Sequence, residues 1–203
     1  MRRRYTYASL ALCAALCVMS NASATVITFD EFPATNNNVA LAGPYDATGA
    51  SFSATNAGTW GGNSNGNPGN WGLEGTNGPQ FLGFNGSNNG YNETVSFSTP
   101  ISFVSADFSR SIGSIDGTIT LEAFNGVNLL GSTMANLGAI NAWSTLDLSF
   151  AGITSIEWIG TGTGFHPYGV DNLVFTAAPE PGTLMLLCSA LVAFATIRQR
   201  RRS

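Results

Sequence analysis

Between residues 25 and 178 the side chains able to do acid–base work are eleven carboxylates and one histidine, His166. The chain has no lysine, which excludes a Walker A phosphate loop, a Schiff base and a lysine general base. A single histidine cannot assemble the two- or three-histidine set of a catalytic zinc. The three cysteines, Cys13, Cys17 and Cys188, all lie near the ends, so the segment between has no thiol nucleophile, no disulfide and no cysteine metal ligand. What survives is carboxylate chemistry, and a pair of acids is what glycoside hydrolysis needs. No two acids stand out, because Asp107, Asp116, Glu122, Asp147 and Glu157 fall on outward strand positions or turns, where solvation is the default. His166, in Gly164-Phe165-His166-Pro167-Tyr168, reads as an exposed loop residue.

The second kind of chemistry is non-covalent. Residues 56–92 hold 11 glycines and 10 asparagines, with Trp60, Trp71, Phe81, Phe84 and Tyr91 set among them. Glycine and asparagine tolerate positive φ, so the stretch reads as long loops with tight turns. Aromatic faces stack on sugar C–H groups and asparagine amides match hydroxyls, which makes Trp60, Trp71 and Tyr91 candidates for a glycan surface. The alternative is that Phe81 and Phe84 form a short core strand, Gln80-Phe81-Leu82-Gly83-Phe84, over which the tryptophans fold as a lid.

These groups must be positioned by strands. Apolar runs of period two recur at Val26–Phe29, Glu93–Phe97, Ile101–Phe108, Gly117–Phe124, Val127–Ser132, Trp143–Phe150, Ile153–Ile159 and Tyr168–Phe175. Asn125-Gly126 between two of them is a strong hairpin signal. No stretch between 25 and 178 pairs a 3.6-residue period with caps. The expected fold is all-β, an antiparallel β-sandwich of jelly-roll type, with a C-terminal transmembrane helix beyond it. At 154 residues (178 − 24), the segment can bury about two-thirds of its surface as one domain. Arg110 is its single arginine against eleven acids, 1 − 11 = −10, so nothing neutralises phosphate and nucleic acid is excluded as a partner.

Both ends are targeting segments. Arg2, Arg3 and Arg4 precede the apolar Ala8–Met19, and Ala22-Ser23-Ala24 reads as a signal-peptidase site, giving a signal peptide over 1–24 and a mature start at Thr25. At the other end Pro179-Glu180-Pro181 leads into the uncharged run Gly182–Ile197, closed by Arg198, Arg200, Arg201 and Arg202. Sixteen helical residues span roughly 24 Å, short of a hydrocarbon core of about 30 Å, which suits a transient anchor. Arginines beyond the run hold that end in the cytoplasm.

The tail over 179–203 resembles the PEP-CTERM sorting signal of Gram-negative bacteria. That resemblance implies export and transient anchoring in the inner membrane through the C-terminal helix. It also implies processing near the Pro-Glu-Pro by an exosortase, and release to the cell surface or matrix of exopolysaccharide-producing cells. The ectodomain, 25–178, is similar at its two ends to jelly-roll carbohydrate-binding modules, through Ile27-Thr28-Phe29-Asp30-Glu31-Phe32 and Tyr168-Gly169-Val170-Asp171-Asn172-Leu173-Val174-Phe175. In several such families an acid after the first strand and an aspartate in the last share a structural calcium. The resemblance assigns that ion to Asp30 or Glu31 with Asp171, since hard oxygen ligands suit Ca²⁺. The expected function is a non-enzymatic exported surface or matrix protein that holds glycan such as the cell's own exopolysaccharide. The alternative is a secreted carbohydrate-active enzyme using a carboxylate pair. Adhesion to ice or a solid surface is a weaker third reading, because Thr161-Gly162-Thr163 is one short instance of the threonine array it would need.

Overall fold

The computed structural model describes residues 23–31, 45–52, 57–61, 73, 75–76, 78, 80–84, 91–111, 114–164 and 168–178. The signal segment, the Pro-Glu-Pro tail with its apolar run and arginines, Trp71 and His166 lie outside the described residues. Ser23–Ala178 forms one compact unit. Its elements are β1 (Ala24–Ile27), a 3-10 turn (Asp46–Thr48), β2 (Ala50–Phe52), β3 (Ala57–Gly61), β4 (Gln80–Phe84), β5 (Tyr91–Arg110), β6 (Ser114–Asn125), β7 (Asn128–Leu137), β8 (Ser144–Gly164) and β9 (Tyr168–Ala177). Every pairing among these strands is antiparallel.

Two strands are far longer than the usual five or six residues, β5 with 20 and β8 with 21. The sequence reads each as two strands. They are continuous because each turns a corner without losing its partner. In β5 the register shifts between Ser96 and Ile101 and again before Phe103, around Ser98-Thr99-Pro100, where proline donates no ladder hydrogen bond. In β8 the bend carries Gly152 at φ 80°, a left-handed conformation that favours glycine. Ile101 faces Ile153 at the bend. The first half of β5 therefore pairs with β2 and with the second half of β8, which continues to β6 and β7. The second half of β5 pairs with the first half of β8 and with β9, which continues to β1, β4 and β3. One hydrogen-bonded sheet is thus folded into two packed layers.

Strand alternation fills the space between the layers. Val95, Phe97, Ile119, Leu121, Ala123, Ile156 and Trp158 come from one layer, and Val104, Ala106, Phe108, Leu146, Leu148, Val170, Leu173 and Phe175 from the other. Rings meet across the gap, Phe97 on Phe175 at 5.0 Å and Phe108 edge-on to Trp158 at 5.9 Å. Such pairs add about 0.5–1.5 kcal/mol beyond burial. Gly160 is obligatory beside this core, since a Cβ there would lie 1.9 Å from the ring of buried Tyr168.

Three elements differ from the sequence reading. β1 starts and stops two residues earlier than Val26–Phe29, and Phe29 turns out of the strand at φ 61°. A phenylalanine in that conformation costs roughly 1–2 kcal/mol. The compensation is its ring, buried in a triad with Tyr45 at 5.6 Å and Phe52 at 6.0 Å. The β6–β7 loop pairs Asn125 with Asn128, so Gly126 and Val127 are its central residues. Only Gly126 has positive φ, the II′ pattern, instead of the Asn-Gly turn the dipeptide suggests. Finally, β4 is the short strand Gln80–Phe84 that the sequence offers, but its partner within the Gly/Asn-rich stretch, β3, is not expected: Ala57 pairs with Phe84 through Gly61 with Gln80.

Candidate functional site

The acidic end of β9 is shaped by one extra residue. Ser105 pairs with Val174 but Asp107 pairs with Asp171, so β9 carries a bulge, and Asn172 within it sits at φ 48°. Asparagine is among the few residues that adopt this conformation readily, and bulges re-aim side chains. Here the bulge brings Asp171 and Asn172 to one network. Asp171, wholly buried, accepts from the Thr76 backbone N–H at 2.6 Å, the Thr76 hydroxyl at 2.9 Å and the Asn172 N–H at 2.7 Å. The Asn172 amide donates to Asp107 at 2.8 Å and to the Thr76 hydroxyl oxygen. Asp107 in turn accepts from the Thr145 hydroxyl at 2.6 Å. The core neighbours Ala106, Phe108, Leu146 and Val170 point inward. Alternation therefore sets Asp107, Thr145 and Asp171 on the outer face of their layer.

An aromatic flank adjoins this polar line. Phe81 and Leu73 are fully buried in a small cluster of their own, against which half-buried Trp143 packs, its ring 6.5 Å from Phe81 and steeply inclined. The floor is Gly169 on β9, where a Cβ would come 2.7 Å from Leu73 and 2.9 Å from the Phe81 ring. The Trp143 indole N–H donates to Asn141 at 3.2 Å.

Of the three acids assigned to calcium, two hold the same segment of chain. After the Phe29 turn, Asp30 accepts from the Gln80 backbone N–H at 3.0 Å and lies so close to Gly78 that a Cβ there would be 2.0 Å from its oxygen. Asp30 and Asp171 thus hold opposite ends of one segment, residues 76 and 80. Glu31 instead turns back to Thr28, accepting from its N–H at 2.7 Å and its hydroxyl at 3.1 Å. Among the described residues no group of three or more His, Cys, Asp or Glu could hold a metal ion. Burial raises the Asp171 pKa above its ordinary 3.8 and the Asp30 charge adds to the rise, against the three donors that favour the ionised form. Burial, with the charges of Glu31 and Asp30, likewise pushes the Tyr45 hydroxyl well above its usual range.

The glycan candidates are placed only by backbone register: Trp60 stands opposite Phe81 and Tyr91 opposite Gly160. Sequence reasoning overlooked Asp107, Trp143 and Thr145 as members of one face, because the β5–β8–β9 register that joins them is non-local. It also overlooked a buried acid, Glu93, which faces the core with Val95 and Phe97; period-two alternation contains that signal. Sequence reasoning also overlooked Gly62-Asn63-Ser64-Asn65-Gly66, which has the Gly-x-Ser-x-Gly spacing of a nucleophile elbow and lies outside the described residues.

The molecule is an antiparallel β-sandwich with an outward polar face. Residues 177–202 match the PEP-CTERM protein-sorting motif, so the chain carries the sorting signal of an exported protein. Among curated proteins no match is found. Similar solved structures include the carbohydrate-binding module TmCBM61 in complex with β-1,4-galactotriose, 13% identical, covering 69% of this chain and 98% of that one at TM-score 0.42. A family 6 carbohydrate-binding module is 17% identical over 76% of this chain and 94% of its own, TM-score 0.36. The K1 cleaved adhesin domain of Lys-gingipain from Porphyromonas gingivalis is 10% identical over 77% and 99%, TM-score 0.47.

Because its pKa is raised on folding, Asp171 binds its proton more tightly in the folded chain. Its stabilising contribution is complete below pH 3.8 and is lost as pH rises through the higher folded value. Denaturant midpoints measured across that window should fall with rising pH in the wild type, and Asp171→Asn should flatten the fall. An unchanged slope would contradict the assignment.

Proposed function

We propose that the exported domain binds neutral glycan at the cell surface without acting on it. The observation that supports this is the line Thr145–Asp107–Asn172–Thr76 on an outer sheet face, with Trp143 beside it. Hydroxyl, carboxylate and amide groups in a row match the donors and acceptors of a sugar, and an indole supplies the stacking surface. Trp60 and Tyr91, which stand opposite Phe81 and Gly160 in register, and Trp71 are further aromatic candidates for contact with the glycan. One arginine in the domain leaves little Coulomb attraction to screen, so binding should be weak and nearly indifferent to salt. Calorimetry against a panel of neutral polysaccharides should show this. Trp143→Ala and Trp60→Ala should each weaken binding by about tenfold, the weight of one stacked ring at roughly 1–1.5 kcal/mol, with the fold retained, although loss of the Trp143 ring from Phe81 and Leu73 lowers the melting temperature. Strong salt-dependent binding to an acidic polymer would overturn the reading. Release of reducing sugar would instead favour the carboxylate-pair enzyme.

The tail belongs to the same proposal: an exosortase processes the chain at or near Pro179–Pro181 after transient anchoring in the inner membrane, and a signal peptidase exposes Thr25. Mass spectrometry of surface material should find Thr25 as the N-terminus and no peptide from Leu184–Ile197. Intact chain ending at Ser203 in an exosortase-positive cell would argue against it.

A structural calcium ion between Asp30 and Asp171 is the remaining proposal. It is supported by the hold of these two acids on one segment, at residues 76 and 80, and by the Asp30 charge that acts on Asp171, which a divalent cation would relieve. Calcium binding to the folded state would raise the melting temperature by mass action. Asp171→Asn should remove that gain. Melting that responds neither to EDTA nor to millimolar calcium would eliminate the site.

A further inference from the structure

The sheet ends on one side in β7, which pairs with β6 and, among the described residues, with no other strand. A free edge is a template for another strand, and folded proteins usually blunt it with shortness, charge or proline. The other outlying strands are short, with three residues in β2, four in β1 and five in β3. β7 has ten, Asn128-Leu129-Leu130-Gly131-Ser132-Thr133-Met134-Ala135-Asn136-Leu137, and not one is ionisable or proline. Leu129 and Met134 are 53% and 62% exposed on it. The strand lies in a domain whose formal charge is −10, by the 1 − 11 count for residues 25–178.

We propose that β7 is a homotypic docking edge, on which a second copy of this chain pairs antiparallel about a two-fold axis. The charge distribution selects this occupant. Two copies of a strongly acidic domain repel wherever acids face each other, and the uncharged strand keeps them apart. The acids on the neighbouring strand β6 are Glu122, opposite Ser132 near the middle of the edge, and Asp116, one residue before the Gly117–Leu137 pair at its far end; Glu157 follows on β8. Across a shared β7 edge the two Glu122 side chains are three strand spacings apart, about 14 Å. That exceeds the Debye length of about 8 Å at physiological ionic strength, so the repulsion is largely screened. Antiparallel pairing is also self-complementary, as a two-fold contact requires. An axis through Thr133 sets Met134 of one copy opposite Ser132 of the other on the same outer face, covering both exposed Met134 side chains. This inference is independent of glycan binding, since β7 belongs to the other layer from Asp107, Asn172 and Trp143.

The test uses the full chain in density-matched detergent. Sedimentation equilibrium should show a dimer, and Ser132→Lys with Met134→Lys should weaken it at least tenfold with the melting curve retained. A photo-crosslinking residue at Met134 in the otherwise unchanged chain should map to the β7 peptide of a second copy, which keeps the proposal testable if the lysine variant folds poorly. A wild-type chain that stays monomeric would overturn the proposal. So would a dimer that the lysines leave intact, or crosslinks that map away from β7 or onto a different protein.

Discussion

Because β5 and β8 each run through both layers, the place where they bend together, Ile101 opposite Ile153, governs how the layers sit on each other. In a sandwich of separate strands the two sheets can slide. Here two adjacent strands pass the corner together, paired there at Ile101 and Ile153 and laddered on either side of it, so the register of one layer is tied to the register of the other. The rings that meet across the gap, Phe97 with Phe175 and Phe108 with Trp158, depend on that shared register. A one-residue slip on either side of the corner would turn inward side chains outward. Pro100 and Gly152 relieve the bend, one by withholding a donor and the other by accepting φ 80°.

The outer polar face follows from this frame. Asp107, Asp171 and Thr145 are brought together by three strands distant in sequence, and the bulge at Asn172 ties the last of them to Thr76. The buried carboxylate is held by two backbone N–H groups and a hydroxyl. Hydrogen bonds to a charged group contribute about 1.5–3 kcal/mol each, which offsets part of its desolvation. The anchor costs a raised pKa and fixes the segment that carries Leu73 over Gly169.

The strands were legible because period-two patterning is local: Ile119, Leu121 and Ala123 face inward as their alternation requires, and so do Ile156 and Trp158. The joining of four expected strands into two was not legible, because Ser98-Thr99-Pro100 and Gly152 signal a break equally well whether the chain leaves the sheet or bends within it. β3 was hidden by composition, since Ala-Gly-Thr-Trp-Gly lacks the β-branched run that marks a strand. The acids show the same division. Asp171 stands out through the resemblance of the last strand to carbohydrate-binding modules, while the partners it acquires, Thr76 and Asn172, depend on a bulge and on a segment 95 residues away. Glu31, adjacent in sequence to Asp30, was grouped with it until the Phe29 turn sent the two carboxylates to different donors.

The last strand is also an interior one. β9 lies between β5 on one side and β4 and β1 on the other, so the second layer cannot close until residue 177 is in place. The sorting motif starts at that residue, and the N–H of Ala178 is still bonded to the Pro100 carbonyl at 3.0 Å. A chain emerging N-terminus first therefore leaves this layer open until Tyr168–Ala177 has emerged, and the strand that closes it is the one that abuts the address label in sequence. Any enzyme that cuts just beyond Ala178 works within a few residues of an interior strand of a finished sheet.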